Sequence, residues 1–163
     1  WAVLPCDPEV QMRWESNIAI GQNTGKDDLI RSGNQYSALD RKTVLVVEDT
    51  SSNYLLISAM LSKHYNLLHA VNGEQAVAMV KEYKIDLLLM DMKMPVMDGL
   101  TATAEIRKFD TNIPIVALTA HAFESDKVAA LKSGCNDYLV KPVDKARLMS
   151  VLRKYCHPST LIL

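Results

Sequence analysis

Asp91 closes the run Ile85-Asp86-Leu87-Leu88-Leu89-Met90-Asp91, placing a carboxylate at the end of an apolar strand. The loop behind it, Met92-Lys93-Met94-Pro95-Val96-Met97-Asp98-Gly99, carries the turn residues Pro, Asp and Gly. Glu48 and Asp49 follow Val44-Leu45-Val46-Val47 in the same way, Thr119 ends Ile113-Pro114-Ile115-Val116-Ala117-Leu118-Thr119, and Lys141 ends Asp137-Tyr138-Leu139-Val140-Lys141. If these strands are parallel, all five groups share one sheet edge, where open α/β sheets bind their ligands. Three acids in one crevice repel each other, and a hard divalent cation with oxygen ligands relieves that repulsion. Mg²⁺ suits such a site, because it is held by a few carboxylates and keeps several waters. A lysine and a hydroxyl alongside suit a transferred phosphoryl group, whose chemistry is mainly charge stabilisation and positioning.

Taken singly, each residue has a plainer explanation. Asp91 could begin a turn. Glu48 and Asp49 could stabilise a helix start. Thr119 could satisfy a backbone group, and Lys141 before Pro142 could lie on the surface. The functional reading rests on their joint appearance at the ends of four separate apolar strands.

The elements that position them alternate regularly from Thr43 onward. Continuous apolar runs suit strands buried on both faces. Thr50, Ser51 or Ser52 is expected to cap a first helix through about Lys63, apolar at Leu56, Ile57, Met60 and Leu61. Tyr65 to Ala70 forms the second strand, and Asn72 with Gln75 resembles a capping box opening a helix that buries Ala76, Val77 and Val80. Asp98 caps a third helix through about Lys108, Gly134 ends the fourth in the left-handed conformation, and Pro142 stops the fifth strand. Asp144 caps a last helix with Leu148, Val151, Leu152 and Tyr155 on one face. Five strands alternating with five helices imply right-handed crossovers and a parallel sheet covered on both sides.

Size and charge bound the remaining choices. The 163 residues allow one full-sized domain plus an extra segment. A net charge of −1 gives no reason to expect nucleic acid or an anionic membrane as partner, and no apolar run is long enough to span a bilayer. Cys6, Cys135 and Cys156 are too scattered and odd in number for a disulfide framework, which points to a reducing, cytoplasmic setting. Residues 1–41 are expected to be a tail and polar linker, with Trp14 and Ile18-Ala19-Ile20 able to dock on a neighbouring surface. The folded domain is expected over 42–157, with a short tail at 158–163. His64, His69, His121 and His157 have no metal-ligand spacing, although His121, two residues after Thr119, can border the site. Met90, Met92, Met94 and Met97 are expected to fill core and loop.

Val46-Val47-Glu48-Asp49, Leu89-Met90-Asp91-Met92-Lys93-Met94-Pro95-Val96-Met97-Asp98-Gly99, Ala117-Leu118-Thr119-Ala120 and Asp137-Tyr138-Leu139-Val140-Lys141-Pro142 together resemble the receiver domains of two-component signalling. The resemblance covers about Thr43 to Tyr155. It implies a flavodoxin-like (βα)5 three-layer sandwich with strand order 2-1-3-4-5. It further implies that Asp91 accepts a phosphoryl group from a phosphohistidine on a histidine kinase or histidine phosphotransfer domain. Mg²⁺ would be held by Asp49, Asp91 and the backbone carbonyl of Lys93, with Glu48 acting mostly through water. Lys141 and Thr119 would bind phosphoryl oxygens, and Tyr138 would swing with the state of Thr119. The family also allows a weak homodimer.

Asn53 and Thr119-Ala120-His121-Ala122 look like the receivers at the C-terminus of hybrid sensor histidine kinases, and Trp1-Ala2-Val3-Leu4-Pro5 looks like the strand that closes a kinase ATP-binding lobe. On that reading the parent is a phosphotransferase, the receiver has no kinase activity of its own, and no DNA-binding output domain follows Leu163. A stand-alone response regulator is the alternative. A small Mg²⁺-dependent aspartyl phosphohydrolase is disfavoured because Asp-x-Asp is missing after the first strand. An FMN carrier is disfavoured because no glycine lies between Asp49 and Asn53.

Overall fold

Apolar strands alternating with amphipathic helices are stable when the strands form a parallel sheet with helices on both faces. The computed structural model describes residues 41–121 and 123–156, and these form that arrangement. Strands β1 (Thr43–Val47), β2 (Asn66–Ala70), β3 (Leu87–Asp91), β4 (Ile115–Thr119) and β5 (Asp137–Val140) alternate with helices α1 (Ser51–Leu61), α2 (Gly73–Glu82), α3 (Gly99–Arg107), α4 (Glu124–Ser133) and α5 (Lys145–Cys156). Every strand pair is parallel and the order is 2-1-3-4-5, as expected. Apart from Arg41, the expected linker at 1–41 and its apolar groups lie outside the described residues, as do His157 and the tail at 158–163.

Side chains along a strand point alternately to the two faces, so each strand feeds two cores. Val44, Val46, Leu87, Leu89, Val116 and Leu118 pack with Ile57 and Leu61 of α1 and Leu148 and Leu152 of α5. Leu45, Val47, Leu88, Met90, Ile115 and Ala117 pack with α2, α3 and α4 through Ala76, Met79, Ala102, Ile106 and Ala130. This division follows from right-handed crossovers, because the step from β1 to β2 runs opposite to the later steps and puts α1 on the other face. β3 lies at the centre and all five of its residues are buried.

Most local expectations hold, with corrections at element ends. Asn72 Oδ1 accepts from the Gln75 N–H at 2.9 Å, and Gln75 Oε1 accepts in return from the Val71 N–H at 3.1 Å. Asp98 and Asp144 cap α3 and α5 by accepting from Thr101 N–H at 2.7 Å and Arg147 N–H at 2.9 Å. Gly134 takes φ 108° after α4. None of the three hydroxyls offered for α1 supplies a side-chain cap: Thr50 stands at the N-cap and its hydroxyl donates instead to Asp49 at 3.3 Å. Leu56, expected on the apolar face of α1, is 47% exposed, and on α2 it is Met79, with Ala76, that is buried while Val77 and Val80 are half-buried.

Candidate functional site

The chain leaves β1 toward β2 and comes back on the other side of β1 to form β3, so the carboxyl ends of β1 and β3 flank the point where strand order reverses. That crevice is where open α/β sheets bind ligands. Glu48 and Asp49 follow β1 there and Asp91 ends β3, with oxygens of all three carboxylates within 4.8 Å of one another. Lys141, next after β5, reaches across β4 and places Nζ 2.7 Å from both Glu48 Oε2 and Asp91 Oδ2. Glu48 is fully buried, Asp91 is 5% exposed, and Asp49 faces solvent. Gly99 makes the close packing behind Asp91 possible, since a Cβ there would collide with the Asp91 carbonyl oxygen.

The two buried acids do not share Lys141 on equal terms. Burial pushes the Glu48 carboxyl up, but Lys141, Asn53 and the Thr50 N–H together outweigh it and leave Glu48 below the usual range. Burial also pushes Asp91 up, and there Lys141 and the Lys93 N–H offset it incompletely, with the Glu48 charge adding to the rise. For Lys141, burial acts to lower the pKa, and the bonds to Asp91 and Glu48 overcome it and raise it. The result is a buried Glu48 firmly anionic and an Asp91 whose oxygens are more basic than an ordinary carboxylate's.

The donor set fits a hard cation. Among the described residues, three carboxylates against one ammonium leave excess negative charge, all donors are oxygens, and exposed Asp49 leaves room for the waters that such an ion keeps. Among the described residues no other group of three or more His, Cys, Asp or Glu side chains converges in this way.

Other expected residues are near but differently engaged. Lys93, in the loop after β3, donates its N–H to Asp91 Oδ1 at 3.1 Å. The Thr119 hydroxyl is turned into its own loop, donating to the His121 carbonyl at 3.1 Å and accepting from the His121 N–H at 3.3 Å. Tyr138, half-buried on β5, packs against the α2–α4 core, and Lys127 Nζ lies 5.1 Å from its ring centroid. An open groove of about 540 Å³ runs from Thr119 past Met92, Met94 and Pro95 to Asp126 and Ala129 of α4. Two contacts were not foreseen. Asn53 Nδ2 donates to Glu48 Oε1 at 3.0 Å, and His69 Nε2 donates to the Glu48 backbone carbonyl at 2.9 Å. Asn53 sits five residues after Glu48, where the first turn of a helix folds back over the strand end; the sequence singled it out only by its resemblance to hybrid-kinase receivers, not as a partner of Glu48.

The chain matches the response regulator receiver domain family over residues 44–153. It is 36% identical over 146 residues, 83% of its length, to hybrid signal transduction histidine kinase I of Dictyostelium discoideum, of which it covers 8%. It is 42% identical over 118 residues, 69% of its length, to the sensor histidine kinase GacS of Pseudomonas protegens, of which it covers 13%. Among solved structures it resembles the receiver domain of the sensor histidine kinase PA1611 of Pseudomonas aeruginosa, which has a magnesium ion in its active-site cleft; identity is 39%, TM-score 0.67, with 71% of this chain and 97% of that one covered. It also resembles a chain of the Saccharomyces cerevisiae complex between the histidine phosphotransfer protein Ypd1 and the Ssk1 receiver, with identity 37%, TM-score 0.68 and coverage 71% and 88%. With its parallel 2-1-3-4-5 sheet, the acid cluster at the switch point and these matches, the chain belongs to the response regulator receiver domain family.

Proposed function

We propose that this domain takes a phosphoryl group from a phosphohistidine onto Asp91 and relays it as a signal. The observation that carries this reading is the grouping of Asp91, Glu48, Asp49 and Lys141 at the switch point, with Lys141 Nζ 2.7 Å from each buried acid. An Asp91 oxygen forms a bond to phosphorus as the phosphorus–nitrogen bond of the donor breaks, and the departing imidazole takes a proton from water. Lys141 is placed to follow the charge from the carboxylate to the new phosphoryl oxygens. Asp49, Asp91 and the Lys93 carbonyl would hold Mg²⁺, with Glu48 acting through water, and the ion would supply positive charge against the developing phosphoryl charge.

Thr119 and Tyr138 would form the switch. For the Thr119 hydroxyl to reach a phosphoryl oxygen it must give up its two bonds to His121. That movement opens space into which Tyr138 can turn, biasing a two-state surface by a local charge. The phosphodonor would be a histidine kinase or a histidine phosphotransfer domain. A hybrid kinase parent, with 42–157 as its receiver and 1–41 as the linker from the ATP-binding lobe, is supported by the kinases among the relatives. Buried free thiols at Cys135 and Cys156 support a reducing, cytoplasmic location, and among the described residues no helix is long and apolar enough to cross a membrane.

Intact mass after incubation with Mg²⁺ and a small acyl phosphate tests the reading. Wild type should gain the mass of one phosphate, removable by hydroxylamine, and Asp91→Asn should gain none. Equal yield in both overturns it.

A further inference from the structure

Glu48 is held at its side chain by Asn53 of α1 and at its backbone by His69 of β2, on whose ring the next α1 residue, Tyr54, stacks. Its Oε1 accepts from Asn53 Nδ2 at 3.0 Å and from the Thr50 N–H at 3.3 Å, while Oε2 faces Lys141 at 2.7 Å. Its backbone carbonyl accepts from His69 Nε2 at 2.9 Å, and the His69 ring stacks on Tyr54 with centroids 3.7 Å apart and planes 7° from parallel. The Asn53 amide therefore serves the acid and not the helix start, which has no side-chain cap.

We propose that Asn53 is a positioning residue for the cation site, fixing one Glu48 oxygen so that the other stays at Lys141 within the acid cluster. This rests on the cation-assisted reading above. Without the Asn53 amide, Glu48 Oε1 keeps only the longer Thr50 N–H bond, so the carboxylate is less firmly oriented, and binding a cation must order it again. Partners that orient the groups around a metal typically contribute tenfold to a hundredfold in affinity. Asn53 acts on the cluster only through Glu48, so its effect should vanish when Glu48 no longer carries charge.

Calorimetric titration with MgCl₂, without phosphodonor, tests this on four proteins: wild type, Asn53→Ala, Glu48→Gln and the double variant. Asn53→Ala should weaken Mg²⁺ binding by about tenfold. In the Glu48→Gln background the same change should cost less than about twofold, the level at which uncoupled sites add. Asn53→Gln, which keeps the amide donor on a longer arm, should recover part of the loss. Asn53→Leu keeps the volume without the donor and provides the same comparison if the alanine variant does not fold. Equal losses in the two Glu48 backgrounds overturn the assignment, as does wild-type affinity in Asn53→Ala. A wild type that takes up no Mg²⁺ overturns the cation reading itself, a result distinct from either of these.

Discussion

Replacing Lys141 by methionine keeps the stem and deletes the ammonium that faces both buried acids. Its Nζ lies 2.7 Å from Glu48 Oε2 and from Asp91 Oδ2, and the side chains are 21%, 0% and 7% exposed respectively. At an effective dielectric constant near 20, each contact is worth roughly 6 kcal/mol of gross Coulomb attraction. Desolvation and the repulsion between the two acids offset most of that. Breaking a buried pair by removing one partner costs about 3–5 kcal/mol, and the partial exposure of Lys141 places this case near 3. For a domain of this size, that loss should lower the melting temperature by roughly 12 °C in EDTA. Millimolar Mg²⁺ should restore about half of it, because the cation neutralises the same carboxylates. Differential scanning fluorimetry with and without Mg²⁺ reads both numbers. A melt within roughly 2 °C of wild type in EDTA, or a loss equal in the two conditions, would show that Lys141 does not neutralise this acid pair.

Three further outcomes are expected. Because the Asp91 carboxyl is raised in the folded state, its stabilising contribution is complete below the ordinary carboxylate range and is lost as pH rises through the folded pKa. Metal-free Asp91→Asn should accordingly gain stability over wild type as pH climbs from 3 to 7, and urea melts showing a gap independent of pH would contradict this. Gly99→Ala pushes a methyl group against the Asp91 carbonyl and against Met92 Cε, 2.8 Å from the new Cβ, so it should destabilise by at least about 2 kcal/mol in denaturant titrations. Thr119→Ala should still accept phosphate, yet its Tyr138 and α4 NMR signals should hardly move on phosphorylation, and shifts equal to wild type would remove Thr119 from the coupling.

The sheet was legible because burial on both faces demands continuous apolar sequence, and β3 obeys that demand along its whole length. Hydropathy could not tell where the runs stop. Ile85 and Asp86 look continuous with β3, but Asp86 Oδ2 accepts from the Thr43 N–H at 2.8 Å and its Oδ1 pairs with Lys42 at 3.2 Å, so its polar bonds hold the start of β1. The site's residues could be named because each ends a strand. Their engagements could not, since a shared lysine, an amide on Glu48 and a hydroxyl turned toward His121 depend on how loops from different strands meet. Three hydroxyls around the start of α1 suggested a side-chain cap, yet Glu48 and Asp49 compete for Thr50, accepting from its N–H and its hydroxyl.

On the proposed function, Asp91 and no neighbouring acid carries the phosphoryl group. Borohydride reduction of the protein treated with Mg²⁺ and a small acyl phosphate converts a phosphorylated aspartate to homoserine, and peptide mass spectrometry locates it. The expected result is homoserine at position 91 alone, absent when EDTA replaces Mg²⁺. Homoserine at position 49 or 98, or none at 91 in a protein that gained phosphate, would mean that Asp91 is not the phosphoacceptor.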